Sequence, residues 1–182
     1  PNARVLRFTG VGDLLVAQPN LGSITRLQDR DGDGRAESKQ VLLEGLAGPN
    51  GMDFLDDWLY VALDTSIVRY PFDHAAGEVR GAAETLVSGL PGGGNHWKKT
   101  LRFGPDGMLY VTVGSSCNVC LEDDARRAAM VRYAPDGSNE TVFAAGLRNS
   151  AGFDWGPDGH IYATDNGRDL LGDDFPPCEL NQ

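Results

Sequence analysis

Basic residues and long apolar runs are scarce in this sequence. Its 16 lysines and arginines stand against 26 aspartates and glutamates, which gives a formal net charge of −10 at pH 7. A nucleic-acid backbone has no electrostatic reason to approach such a surface, so DNA and RNA are not expected as partners. No run approaches the roughly 18 apolar residues that a membrane-crossing helix needs, and we therefore expect no membrane span.

The chain ends also lack familiar features. The sequence does not begin with methionine or with a leader of the charged-then-apolar kind. Its last residues, 179–182, show no tailing-off of order-promoting residues. We interpret both ends as cut, and we expect the chain to be a fragment of a longer protein.

Cysteine is rare, with Cys117 and Cys120 forming a C-x-x-C pair and Cys178 lying far along the chain. A zinc site needs a fourth ligand, and a thioredoxin-like motif needs a helix after the pair, for which there is no signal. We favour a disulfide between Cys117 and Cys120 over metal ligation. Because disulfides persist in oxidising compartments, this interpretation predicts a periplasmic or secreted protein.

The sequence does contain an internal repeat of about fifty residues. Short strand-like apolar runs begin at Leu14, Leu59, Leu109 and Ile161. A Gly-Pro-Asp-Gly turn precedes the last two runs, and the first three runs are followed by a second strand-like segment and by a third that ends in Gly-Leu. Long amphipathic helix patterns are absent.

This repeat predicts an all-β fold, a β-propeller built from four-stranded antiparallel blades. An ordinary β-sandwich explains the strands but not the recurrence of one turn-strand motif at one period. Closed propellers use about four to eight blades, whereas this chain supplies three to four, so we expect a partial propeller. The expected blades span residues 1–46, 47–90, 91–147 and 148–182, the last being incomplete.

Polar residues stand at matching points between these blades. Three consecutive glycines, residues 92–94, precede His96. Glycine lets a backbone approach a ligand closely, and histidine can take up a proton near neutral pH. A lone histidine more often has a structural role, so the prediction of a site needs support from neighbouring blades.

The equivalent point one blade later carries Arg148 and Asn149. Arginine recognises carboxylates and carbonyls through paired hydrogen bonds, although a solvated arginine on a loop is an equally good explanation. A third segment, residues 165–169, is rich in oxygen donors that suit calcium. We expect these segments to converge at one mouth of the propeller channel.

A separate acidic segment contains Asp29, Asp31, Asp33 and Glu37. Its D-x-D-x-D-G spacing is that of a calcium loop, but the flanking segments look like strands, so it is not an EF-hand. The sequence allows two interpretations, a hairpin braced by structural calcium and a plain acidic turn. In either case the segment lies on an outer strand connection.

Four segments, residues 94–97, 101–114, 146–149 and 165–167, resemble a known family in their order and spacing. They are similar to the soluble glucose and sorbosone dehydrogenases that depend on pyrroloquinoline quinone (PQQ) and calcium. The resemblance extends over roughly residues 45–182. It implies a six-bladed propeller in the full-length protein, a small sugar, polyol or aldehyde as substrate, and an external electron acceptor.

The resemblance also implies roles for individual residues. His96 would be the general base that removes the hydroxyl proton while hydride passes to the quinone. Arg148 would polarise the quinone oxygen, and Asn149 would hydrogen-bond the cofactor. The backbone carbonyls of Gly167 and Arg168 would hold a calcium ion that acts as a Lewis acid.

One departure from the family pattern concerns the histidine. The glucose dehydrogenases carry an aspartate that orients this residue, whereas Ser115 stands at that position here. The segment 115–120 is closer to the sorbosone-type branch. The departure puts the basicity of His96, and glucose as the substrate, in question.

Two other functions fit a propeller of this kind. A calcium-dependent lactonase or esterase-like hydrolase shares the architecture but needs side-chain carboxylates around its metal, for which Asp165 is a candidate. A non-catalytic binding propeller would use the same mouth to recognise protein or glycan. The hydrolase has no obvious use for the His96 segment together with the Arg148-Asn149 pair.

Overall fold

The computed structural model describes residues 3–172, 175 and 177–182, and these residues form β-strands joined by turns. The helical structure among them is one turn of 3-10 helix, Pro19–Leu21. No helix in this described part of the chain is long and apolar enough to cross a membrane. The strands form four separate antiparallel sheets.

The first two sheets are continuous meanders with a short addition in the second. The first runs in the order β1 (Val5–Phe8), β2 (Leu14–Gln18), β3 (Ser23–Gln28) and β4 (Ser38–Leu43). The second contains β5 (Met52–Leu55), β6 (Trp58–Ala62), β7 (Ser66–Asp73), β8 (Glu78–Val79) and β9 (Glu84–Ser88). Strands β8 and β9 both pair with the long strand β7.

The other two sheets repeat the meander. The third runs in the order β10 (Leu101–Phe103), β11 (Leu109–Val113), β12 (Ala129–Tyr133) and β13 (Thr141–Ala145). The fourth has three strands among the described residues, β14 (Gly152–Trp155), β15 (Ile161–Asp165) and β16 (Glu179–Asn181). The prediction of an all-β partial propeller of three to four blades is therefore confirmed.

The repeated Gly-Pro-Asp-Gly turn closes the same hairpin in the third and fourth blades. In both, the aspartate caps the turn and its second carboxylate oxygen accepts a bond from a tyrosine hydroxyl on the following strand. The Oη–Oδ2 distances are 2.9 Å for Tyr110 to Asp106 and 2.7 Å for Tyr162 to Asp158. The repeat in the sequence is thus a repeat of one hydrogen-bonded hairpin, which explains why the motif recurs once per blade.

Adjacent blades pack through apolar faces and through their first strands. Strand β5 lies against both β1 and β10. Buried side chains from the first and second blades form one cluster that includes Leu15 and Met52, and the second and third blades share another that includes Tyr60 and Leu101. Because the first strands of the blades lie side by side, the loops that precede them emerge at one end of the propeller.

A buried ion pair within the first blade lies against the second blade. The Arg26 Nε atom donates to the Asp13 carboxylate at 2.6 Å, and both residues are less than a tenth exposed. The guanidinium lies directly under Gly77, where an added Cβ would come within 2.7 Å of the Arg26 Cζ atom. Arg26 therefore carries a buried positive charge. Among the ion pairs of the described residues, Asp13 is its one negatively charged partner.

We predict that Arg26→Ala lowers the free energy of unfolding by about 3–5 kcal/mol, because it leaves the buried Asp13 carboxylate without its partner. The matched control is Arg80→Ala, which breaks an exposed pair with Asp73 and should have little effect. Urea unfolding of the two variants and the wild type measures the difference. Equal stability of the two variants would contradict the assignment.

Candidate active site

A polar cleft of about 280 Å³ opens where the first strands of the four blades begin. Each blade contributes to it from the loop before its first strand, and Asn166 adds a side chain from the end of β15. The lining side chains that can bind a ligand include Arg4, Asn50, His96, Thr100, Asn149 and Asn166. The structure thus brings His96 and Asn149 together, although they are far apart in the sequence.

His96 is half-buried at this cleft, and one edge of its ring is held in place. Its Nδ1 atom lies 2.8 Å from the Ser115 hydroxyl and 3.2 Å from the Ser115 carbonyl oxygen. Within the described part of the chain, the Nε2 atom forms no hydrogen bond. Nε2 is therefore the ring nitrogen that remains for a ligand or substrate.

Two glycines allow the His96 segment to lie against the end of β11. A Cβ on Gly114 would come within 2.5 Å of the His96 Cβ and 2.6 Å of its carbonyl oxygen. Gly94 has a φ of +79°, and a Cβ there would lie 2.8 Å from the Ser116 Cα. Any larger residue at either position would push the histidine away from β11.

Arg148 lies beside the cleft with its guanidinium fully bonded by protein oxygens. Its Nε and one Nη2 bond go to the carbonyl and side chain of Asn118, and the Nη1 bonds go to the carbonyls of Asn166 and Gly167. The last Nη2 bond goes to the Asp169 carboxylate at 3.0 Å. All five donors of an arginine are thereby used.

This arrangement bears on the calcium site that the resemblance implies. The Gly167 carbonyl accepts from Arg148 at 2.8 Å, so a positively charged group already lies against the oxygen that calcium would need. Calcium takes six to eight oxygen ligands. The loop as described does not fit calcium, and ligation by Gly167 and Arg168 stays a prediction that requires the guanidinium to move.

Asp165 has a structural task in the same loop cluster. Its buried carboxylate accepts the N–H groups of Arg148 at 2.9 Å and Asn149 at 2.6 Å, together with the hydroxyl of Ser150 at 3.2 Å. With three donors on its oxygens, Asp165 holds the Arg148-Asn149 turn in place. It is not presented to the cleft as a metal ligand.

The prediction of a disulfide between Cys117 and Cys120 is confirmed, and Cys178 is a free, exposed cysteine. The bridged loop is central to the site, since Ser115 precedes it and Asn118 lies inside it. Because both sulfurs are bridged, neither is a thiolate that could bind a metal.

The match to a family model covers residues 1–175, and the description of that family is TrAA12-like. The chain belongs to the TrAA12-like family. The resemblance to PQQ-dependent sugar dehydrogenases is thereby confirmed.

Several solved structures share the fold of this TrAA12-like chain. The holo PQQ domain of pyranose dehydrogenase from Coprinopsis cinerea superposes with a TM-score of 0.81 at 21% identity, over 94% of this chain and 46% of that one. A calcium structure of a family AA12 carbohydrate-active enzyme from Trichoderma reesei gives 0.82 at 23%, over 98% and 51%. PQQ-bound aldose sugar dehydrogenase from Streptomyces coelicolor gives 0.72 at 26%, over 98% and 59%. The chain spans about half the length of these proteins.

Two cations that the sequence pattern did not indicate line the cleft. Arg4 and Lys98 both line it, and burial together with the charge of Arg4 lowers the pKa of Lys98. The Lys98 ammonium lies 5.6 Å from the ring centre of Trp97, which also lines the cleft. Lys98 stands two residues after His96, and this proximity is a signal that the sequence offers. Nothing in the sequence connects Arg4 with His96.

These residues fit PQQ, which is a flat, tricarboxylic quinone. Two cations without a carboxylate partner among the described ion pairs face the cleft of an otherwise acidic chain. Trp97 offers an aromatic surface, and the amides of Asn149 and Asn166 can donate to oxygen atoms. The cleft therefore suits a planar anion.

A larger apolar groove of about 670 Å³ lies between the third and fourth blades. Tyr110, Phe143 and Trp155 line it, and it contains none of the site residues that the sequence predicted. It lies beside β16, where the described part of the fourth blade has three strands. The groove is an open side of an incomplete blade rather than a set of convergent polar groups.

The acidic segment lies on the connection between β3 and β4, outside the cleft. Oxygen atoms of Asp29, Asp31, Asp33 and Glu37 all lie within 4.8 Å of one another, and all four residues are exposed. Backbone N–H groups within the segment already donate to these carboxylates, as Gly32 does to Asp29 at 2.8 Å. Calcium binding at this loop stays a prediction.

Lys99 anchors the loop of residues 91–97, called here the glycine-rich loop, from the protein interior. Its buried ammonium donates to the Trp97 carbonyl at 2.8 Å and lies 3.7 Å from the Asp64 carboxylate, which also accepts the N–H of Gly93. Burial lowers the pKa of Lys99 to about 8, an effect that Asp64 opposes and the charge of Arg127 adds to. The loop that carries His96 therefore rests on a buried lysine whose charge is costly.

We predict that Gly114→Ala lowers any catalytic rate that depends on His96 by about a hundredfold, because displacement of a reacting group by about 1 Å costs that much. Gly10→Ala is the control, since a Cβ there would meet His74 at an ordinary distance of 3.8 Å. Steady-state rates and melting temperatures of both variants are the measurements. Normal turnover in Gly114→Ala would show that the His96 contact does not matter.

A second prediction concerns the pH dependence of stability. Below about pH 8, Lys99 is charged in the folded and unfolded states, and the cost of burying its charge is fully present. Between about pH 8 and 10.5 the unfolded chain holds a proton that the folded state has released, so stability rises with pH in this window. The full pKa difference corresponds to about 3 kcal/mol.

Lys99→Met removes this titration while keeping most of the side-chain volume. We expect the wild type to gain stability relative to Lys99→Met as the pH rises from 7 to 10.5, since other titrating groups cancel in the comparison. Urea unfolding of both proteins across this range measures the gain. Parallel pH profiles would show that Lys99 does not titrate with a lowered pKa.

Proposed function

We propose that the protein is a quinoprotein oxidoreductase that oxidises a sugar, polyol or aldehyde with PQQ as cofactor. The observation that carries this proposal is the position of His96, whose Nε2 atom is unbonded within the described structure and whose ring lines a cleft suited to a planar anion. Membership of the TrAA12-like family supports the same conclusion.

In this proposal the cleft residues divide into binding and proton-transfer roles. Arg4 and Lys98 bind carboxylates of the cofactor, and Trp97 covers its flat surface. Asn149 hydrogen-bonds the cofactor. When bound, PQQ supplies the acceptor for the hydride that leaves the substrate carbon.

His96 is the general base of the proposed reaction. Its Nε2 atom accepts the proton of the substrate hydroxyl, which lets the carbon–oxygen double bond form as the hydride leaves. The proton can later leave to solvent through the open side of the cleft.

Arg148 has two proposed roles that differ in what they require. Polarisation of the quinone oxygen, the role that the resemblance implies, requires that one of its five protein bonds be exchanged for the cofactor. The contacts described here support a positioning role, because the guanidinium ties Asn118 to the loop around Gly167.

The hydrolase alternative has less support at this cleft. A calcium-dependent lactonase needs free carboxylates around the metal, whereas the Asp165 carboxylate is occupied by three donors of its own loop.

A disulfide supports the further proposal that the protein works in an oxidising compartment such as the periplasm or outside the cell. The electron acceptor would then be external.

The test is reconstitution of the full-length protein with PQQ, followed by dye reduction with a panel of aldoses, polyols and aldehydes. We predict that His96→Ala keeps cofactor binding but lowers turnover by about two to four orders of magnitude, as expected for a lost general base. His160→Ala, which removes an exposed histidine paired with Asp158, is the control and should keep full activity.

Two results would overturn the proposal. One is failure of the wild-type protein to bind PQQ while it hydrolyses lactones or binds glycans without turnover. The other is equal dye reduction by His96→Ala and His160→Ala. Cofactor binding is followed by its absorbance, so a binding defect and a catalytic defect are separated.

A further inference from the structure

We infer that Ser115 is the positioning residue for His96 and that its hydroxyl, a neutral group, fixes the ring in the tautomer that carries hydrogen on Nδ1. The inference rests on the proposed function for its catalytic meaning, but the tautomer itself is a property of the protein alone. Ser115 occupies the position at which the glucose dehydrogenases carry an aspartate.

The hydrogen-bond network determines which ring nitrogen is protonated. The Ser115 carbonyl oxygen, 3.2 Å from Nδ1, can only accept. The Ser115 hydroxyl donates its own hydrogen to the Cys117 carbonyl at 2.7 Å, so towards Nδ1 at 2.8 Å it can only accept as well. Both neighbours therefore require N–H at Nδ1, which leaves the lone pair on Nε2.

The acceptor of the serine is itself held in place. Cys117 belongs to the disulfide-bridged loop, and the adjacent Asn118 accepts two hydrogen bonds from the guanidinium of Arg148. Ser115 is only 6% exposed, so water has little access to its hydroxyl. The relay from Nδ1 through the hydroxyl to the Cys117 carbonyl therefore has a fixed direction.

A hydroxyl and a carboxylate orient a histidine with different electrostatic consequences. Both can accept from Nδ1, but only the carboxylate stabilises the imidazolium that forms when Nε2 takes a proton. The charged groups near this histidine include Arg4 and Lys98, which line the same cleft, and Glu122, which accepts the N–H of Ser116 at 2.7 Å. The serine thus gives orientation without adding negative charge at Nδ1.

The direct test is the imidazole nitrogen spectrum of the full-length protein labelled with ¹⁵N-histidine. The chain has three histidines, and the signals lost in His96→Gln identify the residue. We expect the Nδ1–H tautomer in the wild type, opposite to the preference of free histidine in water. An Nε2–H tautomer in the wild type overturns the inference, whatever the activity of the enzyme.

Variants at the same position separate orientation from charge. Ser115→Ala should shift the population towards Nε2–H and lower the turnover of the reconstituted enzyme by about ten- to a hundredfold, with little change in KM. Ser115→Asp should keep the Nδ1–H tautomer and move the acidic limb of the rate profile to higher pH, because a carboxylate stabilises the imidazolium. Ser116→Ala is the control, because the Ser116 hydroxyl contacts Cys120 rather than the histidine.

These outcomes distinguish this inference from the proposed function. If the tautomer responds to Ser115→Ala as expected but no substrate reduces the dye, the positioning role stands and the proposed oxidoreductase function fails. If Ser115→Ala leaves both the tautomer and the pH profile unchanged in an active enzyme, the positioning role fails and the function stands.

Discussion

Hydrogen bonds to one short segment, residues 115–118, hold the cleft together. At its start Ser115 holds the ring of His96, and at its end Asn118 accepts two bonds from Arg148. The Arg148–Asn118 bonds connect loops of the third and fourth blades, whereas the Ser115–His96 contact connects two loops of the third blade. Because they are at least partly buried, each lost donor would leave an unsatisfied partner, at a cost of about 1–3 kcal/mol. Through these bonds the packing of the blades fixes the positions of His96 and Arg148 at the site.

The propeller supplies the arrangement in which such a segment is useful. Strand β5 lies against β1 and β10, so the loops before the first strands share one end of the channel. A loop at this end is surrounded by its equivalents from neighbouring blades. Each blade can then vary its own loop while the meander behind it is kept, which is how one repeated hairpin supports several different polar side chains.

Charge is distributed unevenly between the surface and this end of the channel. The chain is acidic as a whole, yet Arg4 and Lys98 face the cleft, and a buried lysine, Lys99, lies beneath the glycine-rich loop. Burial works against these cations, as the lowered pKa values of both lysines show. A bound anion would offset that cost, whereas a bound cation would add to it. For the same reason the cleft suits a cofactor that carries carboxylates, whereas a calcium ion beside the Arg148 guanidinium is disfavoured.

The amino-acid sequence by itself determined the all-β class, the blade repeat, the disulfide and the positions of His96 and Asn149 between blades. Those features are local, since turn chemistry and strand alternation act within a few residues. The partners of Arg148 and the presence of Arg4 beside His96 were decided by the tertiary structure alone. Such contacts join residues tens of positions apart, and the sequence pattern shows that an arginine is present but not which oxygens it will meet. The role of Ser115 lies between the two cases, because its position was visible in the sequence while the direction of its hydrogen bonds depends on how the loops are packed.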